Sequence, residues 1–260
     1  MTQRILAIVN QKGGVGKTTT TINLAASLAA RGQLVLMIDL DPQGNASTGL
    51  GVSKRGEGEN LFDVFVNKLP LQNIVQSTDV RGVDIAASHM DMASVEIRLG
   101  ESSDRATRLK QAIAGLEKPY DYILIDCPPS LTMLTVNALT AARSVLVPLQ
   151  CEFFALEGLS QLLKTVEMAK ANLNPGLVID GVMLTMYDKR NRLSAQVAAD
   201  VREHLGRAVF KTMIPRNVRI AEAPSFAQPV ITYDPNCTGS RAYLDLADEM
   251  LLRHGKNRNQ

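Results

Sequence analysis

One run, Asn10-Gln11-Lys12-Gly13-Gly14-Val15-Gly16-Lys17-Thr18-Thr19, limits what this chain can fold into more than any other feature. The apolar stretch 5–9 precedes it and a helix-like stretch, 20–30, follows. Strand, glycine turn and helix in that order are the context that a phosphate-holding loop needs. Glycines at 13, 14 and 16 let the backbone bend so that successive N–H groups point inward. The helix behind adds its positive dipole end. Lys17 is placed to reach outer phosphates as a point charge, and Thr18 offers a hydroxyl to Mg²⁺. The ordinary pattern has glycine where this chain has Gln11, so the strict form fails at its first position. Lys12-Gly-Gly-x-Gly-Lys-Thr-Thr is a deviant form with one lysine more. Residues Gln11, Lys12, Gly13, Gly14, Val15, Gly16, Lys17, Thr18 and Thr19 are the expected nucleotide contacts. At the loop's rim Lys12 has three destinations open to it: solvent, its own phosphates, or a nucleotide in a second subunit.

The rest of the chain repeats the strand-to-helix alternation. Expected strands are 5–9, 34–38, 83–87, 122–125, 144–148, 178–185 and 209–214, and several lack polar alternation. That marks strands buried on both faces of a parallel sheet. Expected helices are 19–30, 104–116, 131–142, 156–171, 194–205 and 241–252, with Gly32 ending the first. The pattern predicts a single-domain, doubly wound α/β fold with a mostly parallel sheet, over residues 1–254, then a flexible polar tail at 255–260. The stretch 49–60, rich in glycine and charge, reads as an exposed loop.

Composition narrows the classes. Of 260 residues, 45% are hydrophobic but only 4% aromatic, so an aliphatic core is expected. A net charge of +2 leaves nucleic-acid affinity to local patches. The three cysteines, Cys127, Cys151 and Cys237, form no zinc or redox spacing, and Cys127 reads as a small buried residue. Met1-Thr2-Gln3-Arg4 enters a strand with no signal peptide, and no apolar run reaches membrane-spanning length. A cytoplasmic protein is expected.

Ligands of such a sheet sit at the strands' carboxyl ends. There the chain places Asp39-Leu40-Asp41-Pro42-Gln43-Gly44-Asn45 and Asp126-Cys127-Pro128-Pro129-Ser130. Asp126 closes the run Tyr-Ile-Leu-Ile-Asp in the Walker B manner, where the carboxylate supports Mg²⁺; the other reading is a helix N-cap. Asp39 and Asp41, at i and i+2, point the same way if extended. Asp41 is the candidate that orients an attacking water, while Asp39 supports either the metal shell or the loop. A turn before Pro42 is the structural alternative for both.

These motifs closely resemble the ParA/Soj family of chromosome- and plasmid-partitioning ATPases, within the deviant Walker A group of P-loop NTPases that includes MinD and the nitrogenase iron protein. Ile214-Pro-Arg-Asn-Val-Arg219, Glu222-Ala-Pro-Ser225 and Tyr243-Leu-Asp-Leu-Ala extend the likeness towards the C-terminus. The resemblance implies ATP and Mg²⁺ as cofactors, with a sandwich homodimer closing on two nucleotides. It implies non-specific binding of double-stranded DNA, and hydrolysis stimulated by a ParB-type partner at the nucleoid. Lys12 matches the signature lysine that contacts the partner's nucleotide, Lys17 the Walker A lysine, and Thr18 the Mg²⁺ ligand. Asp41 matches the residue linked to hydrolysis and Asp126 the Walker B acid. Gly13 matches a position where bulk obstructs the dimer face. Adenine would lie near Pro215 and Asn217. Arg190 and Arg219 fall where the family places DNA-contacting arginines; by themselves, their small basic clusters read as solvated surface.

Three departures refine this. No winged-helix or helix-turn-helix segment precedes the loop, no MinD-like C-terminal amphipathic helix follows, and the iron protein's cluster cysteines have no counterpart. Operator recognition, a membrane cycle and electron transfer are therefore not expected. The alternatives are an ATPase positioning another cargo on the nucleoid and a metabolic P-loop enzyme, for which Glu152 and Glu157 are the spare acids.

Overall fold

Apolar runs without alternation fold here as strands enclosed on both faces. The computed structural model describes residues 3–52 and 58–255. Its strands are β1 (Arg4–Ile8), β2 (Val35–Asp39), β3 (Val75–Ser77), β4 (Val83–Ala86), β5 (Tyr122–Asp126), β6 (Ser144–Gln150), β7 (Val178–Tyr187) and β8 (Val209–Pro215). The α-helices are α1 (Lys17–Ala29), α2 (Asn45–Gly49), α3 (Leu61–Val66), α4 (Val95–Leu99), α5 (Arg108–Ala114), α6 (Met133–Ala141), α7 (Ala155–Asn172), α8 (Arg192–Leu205), α9 (Val218–Glu222), α10 (Val230–Tyr233) and α11 (Thr238–Arg253). All eight strands form one sheet, ordered β3-β4-β2-β5-β1-β6-β7-β8. Every pairing is parallel except that of β3 with β4.

The pleat sends alternate residues to opposite faces. Ile5, Ala7 and Val9 enter a core shared with α3 to α8, while Leu6 and Ile8 enter one shared with α1, α2 and α9 to α11. Helix α1 leaves β1 on the second face and crosses β5 to reach β2. Helix α6 leaves β5 on the first face and crosses β1 to reach β6. The chain reverses around β1, so the crevice for a ligand opens above β5, β1 and β6.

The strands end within two residues of the expected bounds. Gly32, at φ 79°, ends α1 with its N–H donating to Ala29 O at 2.9 Å. Helix α5 starts later than expected because residues 104–107 form a turn, Thr107 N donating to Asp104 O at 2.9 Å. Strand β3 and helices α2, α3, α4, α9 and α10 were not expected, since each is too short for a period to repeat. The expected loop at 49–60 is bounded by α2 and by Asn60, whose side chain caps α3; residues 53–57 and tail residues 256–260 lie outside the described residues. The core is not purely aliphatic: Tyr122, Tyr243, Phe65 and Phe210 are fully buried. These rings bury a large area each, while Phe153, Phe154 and Phe226 stay exposed. Among the described residues, no helix is long and apolar enough to cross a membrane.

Two glycines test this packing with opposite signs. A Cβ on Gly181 of β7 would lie 2.5 Å from Phe210 Cε2 and 2.9 Å from Ala208 O. Gly181→Ala is expected to lower unfolding free energy by about 1–3 kcal/mol in urea titrations. A Cβ on Gly158, inside α7, meets nothing within 4 Å. Gly158→Ala is expected to raise it by about 0.5–1 kcal/mol.

Candidate functional site

The loop between β1 and α1 is shaped by two left-handed glycines, Gly14 at φ 75° and Gly16 at φ 90°. Gly13 is different, because a Cβ there would touch nothing within 4 Å. The chain's own packing therefore gives no reason for glycine at 13. Neighbouring strands pin the loop at both ends. Asn10 Nδ2 donates to Pro148 O of β6 at 2.7 Å, and its Oδ1 accepts from Lys12 N at 3.0 Å. Thr185 of β7 donates to Val15 O at 2.9 Å. Gln11 turns its amide outward to Thr165 of α7, 3.0 Å away.

The two lysines occupy distinct places. Lys17 is buried, with Nζ donating to Lys12 O across the loop at 3.1 Å. Burial lowers its pKa, against the opposing charges of Asp126, Cys127 and Asp41. Lys12 stands at the rim, its side chain 45% exposed, and forms an ion pair with Glu152 just beyond β6. Glu152, a spare acid by sequence, is thus engaged by the loop.

Below Lys17 lie two carboxylates side by side. Parallel pairing of β2 with β5 sets Asp39 opposite Asp126, on strands about 4.8 Å apart. Both are fully buried. Asp126 Oδ1 accepts from Thr21 Oγ1 at 3.0 Å, and the nearby Thr18 hydroxyl favours its charged form. Its Oδ2 is buried with no hydrogen-bond partner among the described residues. Burial, then the charge of Asp39, holds Asp126 well above the usual carboxylate range. Asp39 is raised less, mainly by burial, because Ser47 offsets it. Ser47 donates to Asp39 Oδ2 from N at 2.9 Å and from Oγ at 2.7 Å, and Asp41 N donates to Oδ1 at 3.2 Å. Of the two roles open to Asp39, the loop brace is the one its contacts display.

An unmet carboxylate oxygen beside a threonine hydroxyl, in a site that disfavours charge until a cation arrives, fits Mg²⁺, which takes oxygen donors and few protein ligands. Asp126 and Thr18 are the residues that would hold it. Asp41 stands half-buried above them. Its Oδ1 accepts from Gln43 N at 3.0 Å, so the expected turn before Pro42 forms with the side chain still at the crevice.

Both basic segments leave the sheet at this same edge, from the adjacent strands β7 and β8. Arg216 N donates to Tyr187 O at 3.0 Å, joining them. Arg190 is 85% exposed at its side chain and forks onto Asp188, which it pulls down to about 2. Arg219 pairs with Glu222 at 2.9 Å and Asp234 at 3.4 Å. Each arginine thus has an acidic neighbour in the chain. Asn217 caps α9 and donates to Thr238 Oγ1 at 2.9 Å. Pro215 and Thr238 line a recess of about 540 Å³ between β8 and α11.

Sequence reasoning missed Asn10, Thr21, Ser47 and Thr185. Asn10 and Thr21 flank the loop, so adjacency alone could have flagged them. Ser47 and Thr185 carry no local signal.

Comparison with known proteins agrees with this geometry. A family model described as an AAA domain matches residues 3–179. The chain is 56% identical over 252 residues to the chromosome partitioning protein ParA of Caulobacter vibrioides, covering 96% of this chain and 94% of that protein. It is 50% identical over 247 residues to the sporulation initiation inhibitor protein Soj of Bacillus subtilis, covering 95% and 98% respectively. Among solved structures, the cobyrinic acid a,c-diamide synthase of Mycobacterium smegmatis with bound ADP and magnesium matches at a TM-score of 0.85 and 36% identity, over 99% of this chain and 97% of that one. The partitioning relatives share more residues with this chain than that synthase does, over nearly the whole length. With the doubled-lysine loop, the paired strand-end carboxylates and this identity in hand, the chain belongs to the ParA/Soj family of chromosome-partitioning ATPases.

Proposed function

We propose that this chain is an ATP- and Mg²⁺-dependent switch for DNA segregation. With ATP it forms a homodimer, the dimer holds double-stranded DNA without sequence preference, and slow hydrolysis, stimulated by a ParB-type partner, releases it. This cycle belongs in the cytoplasm, on the nucleoid. Lys12 is the observation that carries the reading. Lys17 is the lysine that turns inward across the loop, which leaves the rim lysine spare for its own nucleotide. Its tie to Glu152 holds it at the rim while the chain is alone. Gly13, which its own chain leaves room to enlarge, is explained if a second copy packs there.

The chain's residues divide the work. The loop from Gln11 to Thr19 wraps the phosphates, and the recess at Pro215, near Asn217, is the place for adenine. Thr18 and Asp126 hold Mg²⁺, which when bound neutralises charge developing on the transferred phosphoryl group. Asp39 braces the turn at residues 41–47. Asp41 orients the attacking water. Arg190 and Arg219 exchange acidic neighbours for DNA phosphates, which gives steep salt dependence and little sequence selectivity.

Asp41→Ala should bind ATP and accumulate as a DNA-bound dimer in gel filtration at low salt; a monomer that leaves DNA unbound sinks the proposal. Lys12→Ala and Gly13→Val should both stay monomeric with ATP while melting like the parent chain without it. Glu152→Gln releases Lys12, and an exposed pair of this kind contributes about 0–1 kcal/mol. The ATP concentration at half-dimerisation should therefore fall by up to about fivefold in light-scattering titrations. Replacing Arg190 and Arg219 by Ala should lower the slope of log affinity against log salt by about 0.9 for each phosphate that is no longer neutralised, with affinity falling equally on unrelated DNA sequences.

A further inference from the structure

Away from the phosphate loop, a recess opens between the end of α3 and helix α5. It encloses about 280 Å³, close to the lower bound of about 300 Å³ for small-molecule sites. Val64, Leu69, Leu71 and Ala112 give it apolar walls, and Lys68 and Arg108 supply cations.

Arg108 is only 8% exposed. Its Nη2 lies 3.0 Å from Asp104 Oδ1 and 3.5 Å from Ser102 Oγ. Its Nε and Nη1 are buried with no hydrogen-bond partner among the described residues. Asp104 cannot meet them, being already divided: Lys68 Nζ sits 3.0 Å from Oδ2, and Ser102 Oγ donates to Oδ1 at 2.7 Å. Two cations thus share one carboxylate, and an arginine cannot shed its proton to relieve the imbalance. Buried N–H groups are paired in nearly all folded proteins, and an orphan of this kind calls for a partner. The Lys68 side chain is 62% exposed, so it is free to change partners, and it lines the recess together with Arg108.

We propose that this recess binds a small organic monoanion, with one carboxylate on a compact apolar body. The carboxylate lies on Arg108 and Lys68, and the body lies against Val64, Leu69, Leu71 and Ala112. One surplus positive charge matches a carboxylate better than a phosphate dianion, and the planar guanidinium fork fits two carboxylate oxygens.

The test uses the full chain with methyl-labelled Val and Leu. Isovalerate, benzoate and phenylacetate are titrated by NMR, each beside its uncharged amide. Acids that shift the Val64, Leu69 and Leu71 methyls and bind about tenfold or more tightly than their amides support the site, that ratio being what a charge-assisted hydrogen bond contributes. Ala112→Phe should fill the recess and abolish these shifts, and the surface variant Lys68→Gln should weaken the acids while leaving the amides unchanged. Both variants should bind ATP like the parent. The proposal is overturned if no acid shifts these methyls, if acids and amides bind alike, or if Lys68→Gln binds the acids undiminished.

Discussion

The buried carboxylate of Asp126 under the phosphate loop is the contact on which the rest of the site depends. Its position follows from β5 lying between β1 and β2, which carries it beneath Lys17 and opposite Asp39. Thr21, from the first turns of α1, ties it to the loop's own helix. Two carboxylates and one lysine in a dry crevice form a charge arrangement that a divalent cation and phosphates complete. Burial raises both acids and lowers the lysine, so the free site resists carrying its full charge.

A second layer of contacts decides what the loop can do beyond holding phosphate. Asn10, Thr185 and Gln11 fasten the loop to β6, β7 and α7, so its shape belongs to the sheet as a whole. Lys12 is handled separately, by a carboxylate just past β6 on the surface. The inner lysine is enclosed while the outer one rests on an exposed pair of the kind that contributes little, so only the outer one is free to change partners.

The partitioning relatives and the M. smegmatis synthase share this architecture, so the fold does not choose between segregation and metabolism. Particular residues do. Glu152, one of the two spare acids for a metabolic reaction, pairs with Lys12. The two basic segments, weak signals when read apart, leave adjacent strands at the nucleotide edge and meet through Arg216 and Tyr187.

The chain of residues alone determined the loop, its two lysines, the parallel sheet and the strand-end acids. Each is a local pattern: glycines set the turn, unbroken apolar runs mark strands covered on both faces, and an acid after such a run lies at the sheet's edge. Tertiary structure decided the partners. Thr21 with Asp126, Lys12 with Glu152 and Thr185 with Val15 are separated by 105, 140 and 170 positions, and they meet only because β5 and β6 flank β1 with β7 beyond. Nothing in an apolar run specifies which strand it will pair with. That choice is made by the crossing helices and the cores they bury, and with it comes the difference between a carboxylate at a sheet edge and one buried beneath the phosphate loop opposite a second acid.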